Sequence, residues 1–159
     1  MVSAFNLLAA QGQEDMADAA SLFRSYAASL PIDLGYQHFE AELAALPGRY
    51  APPEGALLIA RNAAGEAIGC VALRPIAGYR VCEMKRLYVA PAARGTGLGA
   101  VLVAAIVQSA REAGYGEMRL DTLPTMHAAL ALYARAGFKR IDAYYPTPVE
   151  GTIFLSLAL

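Results

Sequence analysis

A mixed α/β or α+β domain is the fold class this sequence predicts, and three observations predict it. Short strand-like runs pair across turns in both halves of the chain, while apolar stripes at helical spacing separate strands in the middle. A glycine-rich turn, Arg94-Gly95-Thr96-Gly97-Leu98-Gly99, lies between a strand-like run and a helix-like one.

The elements follow in order. Phe5–Ala9 is a short apolar run and reads as a first strand. Glu14–Ser29 puts Met16, Ala19, Ala20, Phe23 and Ala27 on one helical face, with Asp15 and Asp18 near its start, and Pro31 ends it. A second short helix runs from Gly35 to about Leu46, with Phe39, Leu43 and Leu46 as its stripe. Pro47-Gly48 and Pro52-Pro53 mark a loop. Ala56–Arg61 and Ala67–Arg74 flank a turn in which Gly65 can supply positive φ, so they read as a hairpin. Tyr79–Val89 is a longer strand stopped by Pro91. Leu98, Val101, Leu102, Ala105 and Ile106 set a helix that Gly114 or Gly116 stops. Glu117–Thr122 is a strand and Thr125–Ala136 a helix closed by Gly137. Phe138–Tyr145 and Thr152–Leu157 supply two last strands, giving the order βααβββαβαββ.

Composition bounds the function. The 159 residues suit one domain, here 1–159, with a core that needs no disulfide. No apolar run approaches the ~20 residues that span a bilayer, and the start reaches Gln11-Gly12-Gln13-Glu14-Asp15 too soon for a signal peptide. Cys70 and Cys82 lie inside strand-like runs and form no C-x-x-C pair; buried reduced thiols fit them better than a disulfide, and fit a cytoplasmic location. A formal net charge of −1 and the lack of a basic stripe argue against nucleic acid and point to a small ligand.

The glycine turn says more. Glycine lets the backbone turn sharply, and the first amides of a helix lack intrahelical partners, so the turn is a ready cradle for a phosphate or pyrophosphate. No Walker A string is present. The dinucleotide pattern G-x-G-x-x-[GA] is met by Gly95, Gly97 and Ala100, with Asp121 about 20 residues on. Against it, Pro91-Ala92-Ala93-Arg94 separates strand from glycines, and too little chain follows for a second nucleotide half. The run Leu87-x-Val89-x-Pro91-x-x-Arg94-Gly95-x-Gly97-x-Gly99 resembles the signature of the GCN5-related N-acetyltransferase (GNAT) family, whose motif is (Q/R)-x-x-G-x-(G/A). Downstream, Ala129-x-x-Leu132-Tyr133-x-x-x-Gly137-Phe138 is similar to that family's second signature, and the element order matches over nearly the whole chain.

That resemblance implies a mixed, mostly antiparallel seven-stranded sheet with helices on both faces, and transfer of an acetyl group from acetyl-CoA to a primary amine of a small molecule or peptide by direct attack. No metal is implied. Amides from Gly95 through Thr96, Gly97, Leu98 and Gly99 to Ala100 would hold the pyrophosphate, with Arg94 at its border, while Leu87, Tyr88 and Val89 would pair with the pantetheine arm. Tyr133 stands where many members place a proton donor to the CoA sulfur; its alternative is a packed aromatic. Glu83, an acid in a strand that is otherwise apolar or basic, is the candidate general base, and eleven residues separate it from Arg94 as in histone-acetylating members. Its alternative is an ion pair with Lys85, Arg86 or Arg74. The chain departs from the family at Met126, where members often carry an asparagine that touches the cofactor, so Met126 stays outside the expected site.

Other candidates read more simply. Tyr26, Asp33, Tyr36 and His38 fall where relatives wall the acceptor pocket, though surface or packing roles explain each; His127 reads as a surface histidine and Asp121 as a local cap or pair. Tyr144-Tyr145-Pro146 reads equally as binding surface and as hairpin packing. Relatives commonly form homodimers through the C-terminal strands. A CoA-binding sensor module of the same fold is the rival function, and the presence of both acid and base candidates favours the enzyme.

Overall fold

The computed structural model describes residues 5–76 and 80–159, and only the backbone of Tyr36 and Gln37. Chain order is β1 (Phe5–Ala9), α1 (Gly12–Ser29), α2 (Phe39–Ala44), β2 (Ala56–Asn62), β3 (Ala67–Pro75), β4 (Val81–Val89), α3 (Leu98–Glu112), β5 (Glu117–Thr122), α4 (His127–Ala136), β6 (Lys139–Ile141) and β7 (Ile153–Ala158). The seven strands form one sheet, ordered β1-β2-β3-β4-β5-β7-β6. Five of its neighbouring pairs are antiparallel. The exception is β4 with β5, which lie parallel because α3 carries the chain from the end of one strand back to the start of the next.

Side-chain alternation then sorts the core. Val71, Leu73, Cys82, Met84, Met118 and Leu120 pack with Leu98, Leu102 and Ile106 of α3 and Tyr133 of α4. Cys70 and Ala72 turn the other way, beneath Ala19, Leu22 and Phe23 of α1 and Leu43 of α2. Helices therefore cover both faces, as expected. Arg61 on β2 fastens α1 to the sheet through Asp15 at 2.6 Å and Asp18 at 2.8 Å. Both cysteines are buried free thiols. Among the described residues no helix is long and apolar enough to cross a membrane.

One glycine sets how closely α3 lies on the sheet. A Cβ at Gly69 would stand 3.0 Å from the Tyr88 carbonyl oxygen, 3.1 Å from a Leu98 methyl and 3.2 Å from a Leu102 methyl. The bare backbone of β3 at that point lets the start of α3 settle against β4.

The structure differs from the sequence-based elements in two places. The second helix is broken at His38, which adopts φ 56° and ψ 42° and separates a 3₁₀ turn at Leu34–Gln37 from α2. Asp33 holds that turn by accepting the Gly35 amide at 2.7 Å, so its side chain is a cap. The expected strand Phe138–Tyr145 is paired only over Lys139–Ile141. Beyond it, Tyr144 and Tyr145 fold back over the sheet and give their hydroxyls to carboxylates there, and Pro146 and Pro148 have no amide for a ladder. Tyr79, the expected start of the long strand, lies outside the described residues.

Replacing Gly69 with Val tests the close approach. Overpacking at such a site costs about 1–3 kcal/mol. Gly69→Val should lower the melting temperature by several degrees, measured by circular dichroism.

Candidate active site

The site begins where two strands part. β4 and β5 pair only from Val81↔Glu117 to Glu83↔Arg119. After that β4 stays with β3, and β5 stays with β7. A β-bulge falls on β4 in the parted stretch: Cys70 faces Tyr88 and Ala72 faces Lys85, so Val71 alone opposes Arg86 and Leu87. Arg86 takes φ 62°, a left-handed conformation that costs a non-glycine residue on the order of 1–3 kcal/mol.

The surroundings of Arg86 account for that strain. Its guanidinium makes a two-pronged pair with Glu42 of α2, at 2.9 Å and 3.1 Å. The same group lies 5.1 Å from the centre of the Phe39 ring and 5.9 Å from that of Tyr26. The Cys70 thiol donates to the Arg86 carbonyl at 3.3 Å. Without the bulge, strict alternation would point this arginine into the apolar cluster under α3. With it, both Lys85 and Arg86 face the α1–α2 side.

Between the parted strands lies a cavity of about 30 Å³. Met84, Leu87, Thr122, Met126 and Tyr133 line it from the side of α3 and α4. Tyr26, Lys85, Arg86 and Asp121 line it from the other. Residues from both faces of the sheet therefore line the cavity.

Tyr133 is 6% exposed, and its ring meets Phe138 edge-on at 5.7 Å. Burial pushes its phenol above the usual range, with smaller contributions from Tyr26 and Asp121. The hydroxyl therefore stays protonated at neutral pH. Lys85 moves the opposite way: burial lowers its ammonium below the ordinary range, against the pull of Glu83. Met126, which sequence reasoning set aside, is part of the lining, and its sulfur accepts the Thr122 hydroxyl at 3.7 Å. A thioether thus occupies the place expected for an amide.

Glu83 stands outside that lining. It is 2% exposed, and Oε1 takes both Nε and a terminal nitrogen of Arg74 at 2.9 Å. Oε2 accepts the Tyr144 hydroxyl at 2.5 Å. The ion-pair alternative raised for Glu83 is thus present, with Arg74 as the partner. Tyr145 gives its hydroxyl to Asp121, and Tyr144, Tyr145 and Phe154 form an edge-to-face cluster with ring centres 5.2–5.5 Å apart. Arg119 lies 5.5 Å from the Tyr144 ring centre and pairs with Glu117 at 2.7 Å. The Tyr144-Tyr145 segment is therefore fixed to the same sheet face as Asp121. Sequence reasoning missed Asp121 as a cavity residue; the one available signal was its place at the end of the strand after the glycine turn.

The glycine turn sits at the far end of β4. Gly95 and Gly97 have φ of 81° and 86°, and a Cβ on either would meet nothing within 4 Å. They are needed for conformation, and the space above them is open. The first helical bond of α3 runs from the Val101 amide to the Gly97 carbonyl at 3.3 Å, which leaves the Leu98, Gly99 and Ala100 amides without helical acceptors. Gly99 has a second reason to be glycine: its Cβ would come within 2.8 Å of a Leu132 methyl, so it also lets α3 and α4 touch. Leu98 is 1% exposed and can offer a ligand only its amide. The Thr96 hydroxyl donates to the Ala93 carbonyl at 2.6 Å, and exposed Arg94 donates to the Val89 carbonyl at 3.2 Å. These features fit a pyrophosphate on the amides at the start of α3.

His127 is exposed at the start of α4 and His38 at the helix break. Among the described residues no group of three His, Cys, Asp or Glu side chains could hold a metal ion. The Tyr36 side chain lies outside the described residues.

The model of the acetyltransferase (GNAT) family matches residues 19–138. The chain belongs to the GNAT acetyltransferase family. An uncharacterized N-acetyltransferase of Schizosaccharomyces pombe is 41% identical over 146 residues, which covers 92% of this chain and 90% of that protein. A Klebsiella pneumoniae protein described as an acyl-CoA N-acyltransferase shares 29% identity with a TM-score of 0.76, covering 99% of both chains. An acetyltransferase of Salmonella typhimurium, solved with acetyl-CoA, has a TM-score of 0.70 at 20% identity, covers 98% of this chain and 94% of that one, and bears on the fold alone.

The Glu42–Arg86 pair should be indispensable to this arrangement. Removing one partner of a buried pair costs about 3–5 kcal/mol. Glu42→Ala should therefore lower the melting temperature by on the order of 10 °C, and Glu42→Gln by less, as read by differential scanning calorimetry.

Proposed function

We propose that this chain transfers an acetyl group from acetyl-CoA to a primary amine of a small molecule or peptide, within a single domain spanning 1–159. The observation that carries the reading is the cavity between β4 and β5, which residues from both faces of the sheet line. A donor can enter from the α3 side and an acceptor from the α1 side, and the two meet without either crossing the core. Holding both reactants in one place is itself a large source of rate.

Acetyl-CoA supplies an activated acyl group and a thiolate that leaves. The rest falls to the chain. The Leu98, Gly99 and Ala100 amides and the turn over Gly95 and Gly97, bordered by Arg94, hold the pyrophosphate. Leu87, Tyr88 and Val89 present a strand edge that β5 has left, and an extended arm pairs with it as an added strand would. Backbone amides at the bulge stabilise the negative charge that builds on the acyl oxygen. Tyr133, kept protonated by burial, gives its proton to the departing sulfur. Glu83 belongs to the acceptor wall, where it holds Tyr144 and Arg74 in place.

Two measurements test the reading. Release of CoA thiol should follow addition of at least one member of a panel of primary alkylamines, amino acids and short peptides. Tight acetyl-CoA binding with no thiol release on any amine would favour the sensor module instead. Tyr133→Phe should lower kcat by about 100-fold and leave CoA affinity within twofold by calorimetry. Unchanged kinetics in that variant would reduce Tyr133 to a packed aromatic.

A further inference from the structure

We propose that Asp121 is the carboxylate that accepts the proton of the acceptor amine, an assignment that rests on the amine-transfer reading above. Three observations support it. Asp121 lines the cavity and Glu83 does not. It stands two residues beyond Arg119, the last β5 residue paired with β4, so its backbone borders the gap itself. Both oxygens of Glu83 are already engaged, by Arg74 and Tyr144. In Asp121 the Tyr145 hydroxyl engages Oδ2, and among the described residues no donor is bonded to Oδ1.

Its position relative to Tyr133 gives the chemistry a direction. Leu120 belongs to the apolar cluster beneath α3 and α4, together with Tyr133, so its neighbour Asp121 faces away from that cluster. One proton donor and one proton acceptor thus line the same small cavity from opposite faces of the sheet. The other titratable or charged groups facing Asp121 are Lys85 and Arg86 on β4, Tyr26 on α1, Arg119 on β5, and Tyr144 and Tyr145 in the segment before β7. Arg86 and Arg119 are paired with Glu42 and Glu117.

The bookkeeping of atoms closes. The amine lone pair forms the new N–C bond as the C–S bond breaks, and one N–H proton passes to Asp121 Oδ1. The sulfur takes the Tyr133 hydroxyl proton, and the proton on Asp121 returns to Tyr133 through solvent. The products are an amide and a free thiol, with no oxidant or reductant required. Tyr145 is a positioning residue in this scheme, since it holds one oxygen of a carboxylate that lines the cavity.

The test compares full-length wild type, Asp121→Asn, Glu83→Gln and Tyr145→Phe, using the panel amine that gives wild type the fastest thiol release. Asp121→Asn should lower kcat by about 100-fold or more near neutral pH, with CoA affinity within twofold, and the deficit should shrink at alkaline pH as the free amine becomes abundant. Glu83→Gln should lose less than Asp121→Asn. If Asp121→Asn fails to bind CoA, Tyr145→Phe decides: the carboxylate loses the bond that holds it, and kcat should fall by about 10-fold or more with KM for CoA within twofold. An Asp121→Asn enzyme within fivefold of wild type, or an unchanged kcat in Tyr145→Phe, overturns the assignment alone. Wild type that releases no thiol with any amine overturns the amine-transfer reading, and the assignment with it.

Discussion

The parting of β4 from β5 is the constraint on which everything else in this molecule depends. The two strands share three register pairs and then diverge. Divergence leaves one edge of β4 without a strand partner and creates an opening through the middle of the sheet. Such an opening is costly, because strand edges carry unmet amides and carbonyls. The bulge at Arg86 is what gives β4 its altered course, and a left-handed arginine is maintained there because four separate contacts fix it. Two of these, with Glu42 and Phe39, come from α2, one with Tyr26 comes from α1, and one with the Cys70 thiol comes from β3. The shape of the gap is thus tied to α1 and α2.

The two faces of the sheet do different chemistry for a simple reason. On the α3 side the residues around the gap are apolar or hold neutral hydroxyls, and the helix start beyond them offers amides to an anion. On the α1 side, carboxylates and cations stand in paired sets: Arg74 with Glu83, Arg86 with Glu42, Arg119 with Glu117. Charges this close to a core persist only when paired or hydrogen-bonded. Lys85 and Asp121 also border the cavity, where burial lowers the ammonium of Lys85 below its ordinary range. Paired charges build the wall around the gap.

Much of this was legible in the sequence. Element order, the seven strands and the two motifs of the GNAT family all read directly, because hydrophobic period and glycine punctuation are local signals. Gly95 and Gly97 were legible as conformational glycines, whereas the second purpose of Gly99, its contact with Leu132, depends on the packing of two helices. Tyr133 could be placed by motif. The ion pair of Glu83 with Arg74 was among the readings the sequence offered, whereas its second partner, Tyr144, lies sixty-one residues away and could not be read. Asp121 was hidden for the same reason: a carboxylate at the end of a strand gives no sign of whether the neighbouring strand is still beside it. The break at His38 and the early end of β6 were also invisible, because each is decided by tertiary hydrogen bonds or backbone strain that propensity does not encode.

The central claim is that the gap between β4 and β5, together with the start of α3, is where the acyl donor lies. Amide hydrogen exchange with and without CoA tests it most directly. The account predicts slowed exchange at residues 87–89 and 95–100, with little change across β1 and β2. Protection elsewhere, with the amides of 87–89 exchanging as before, would contradict it.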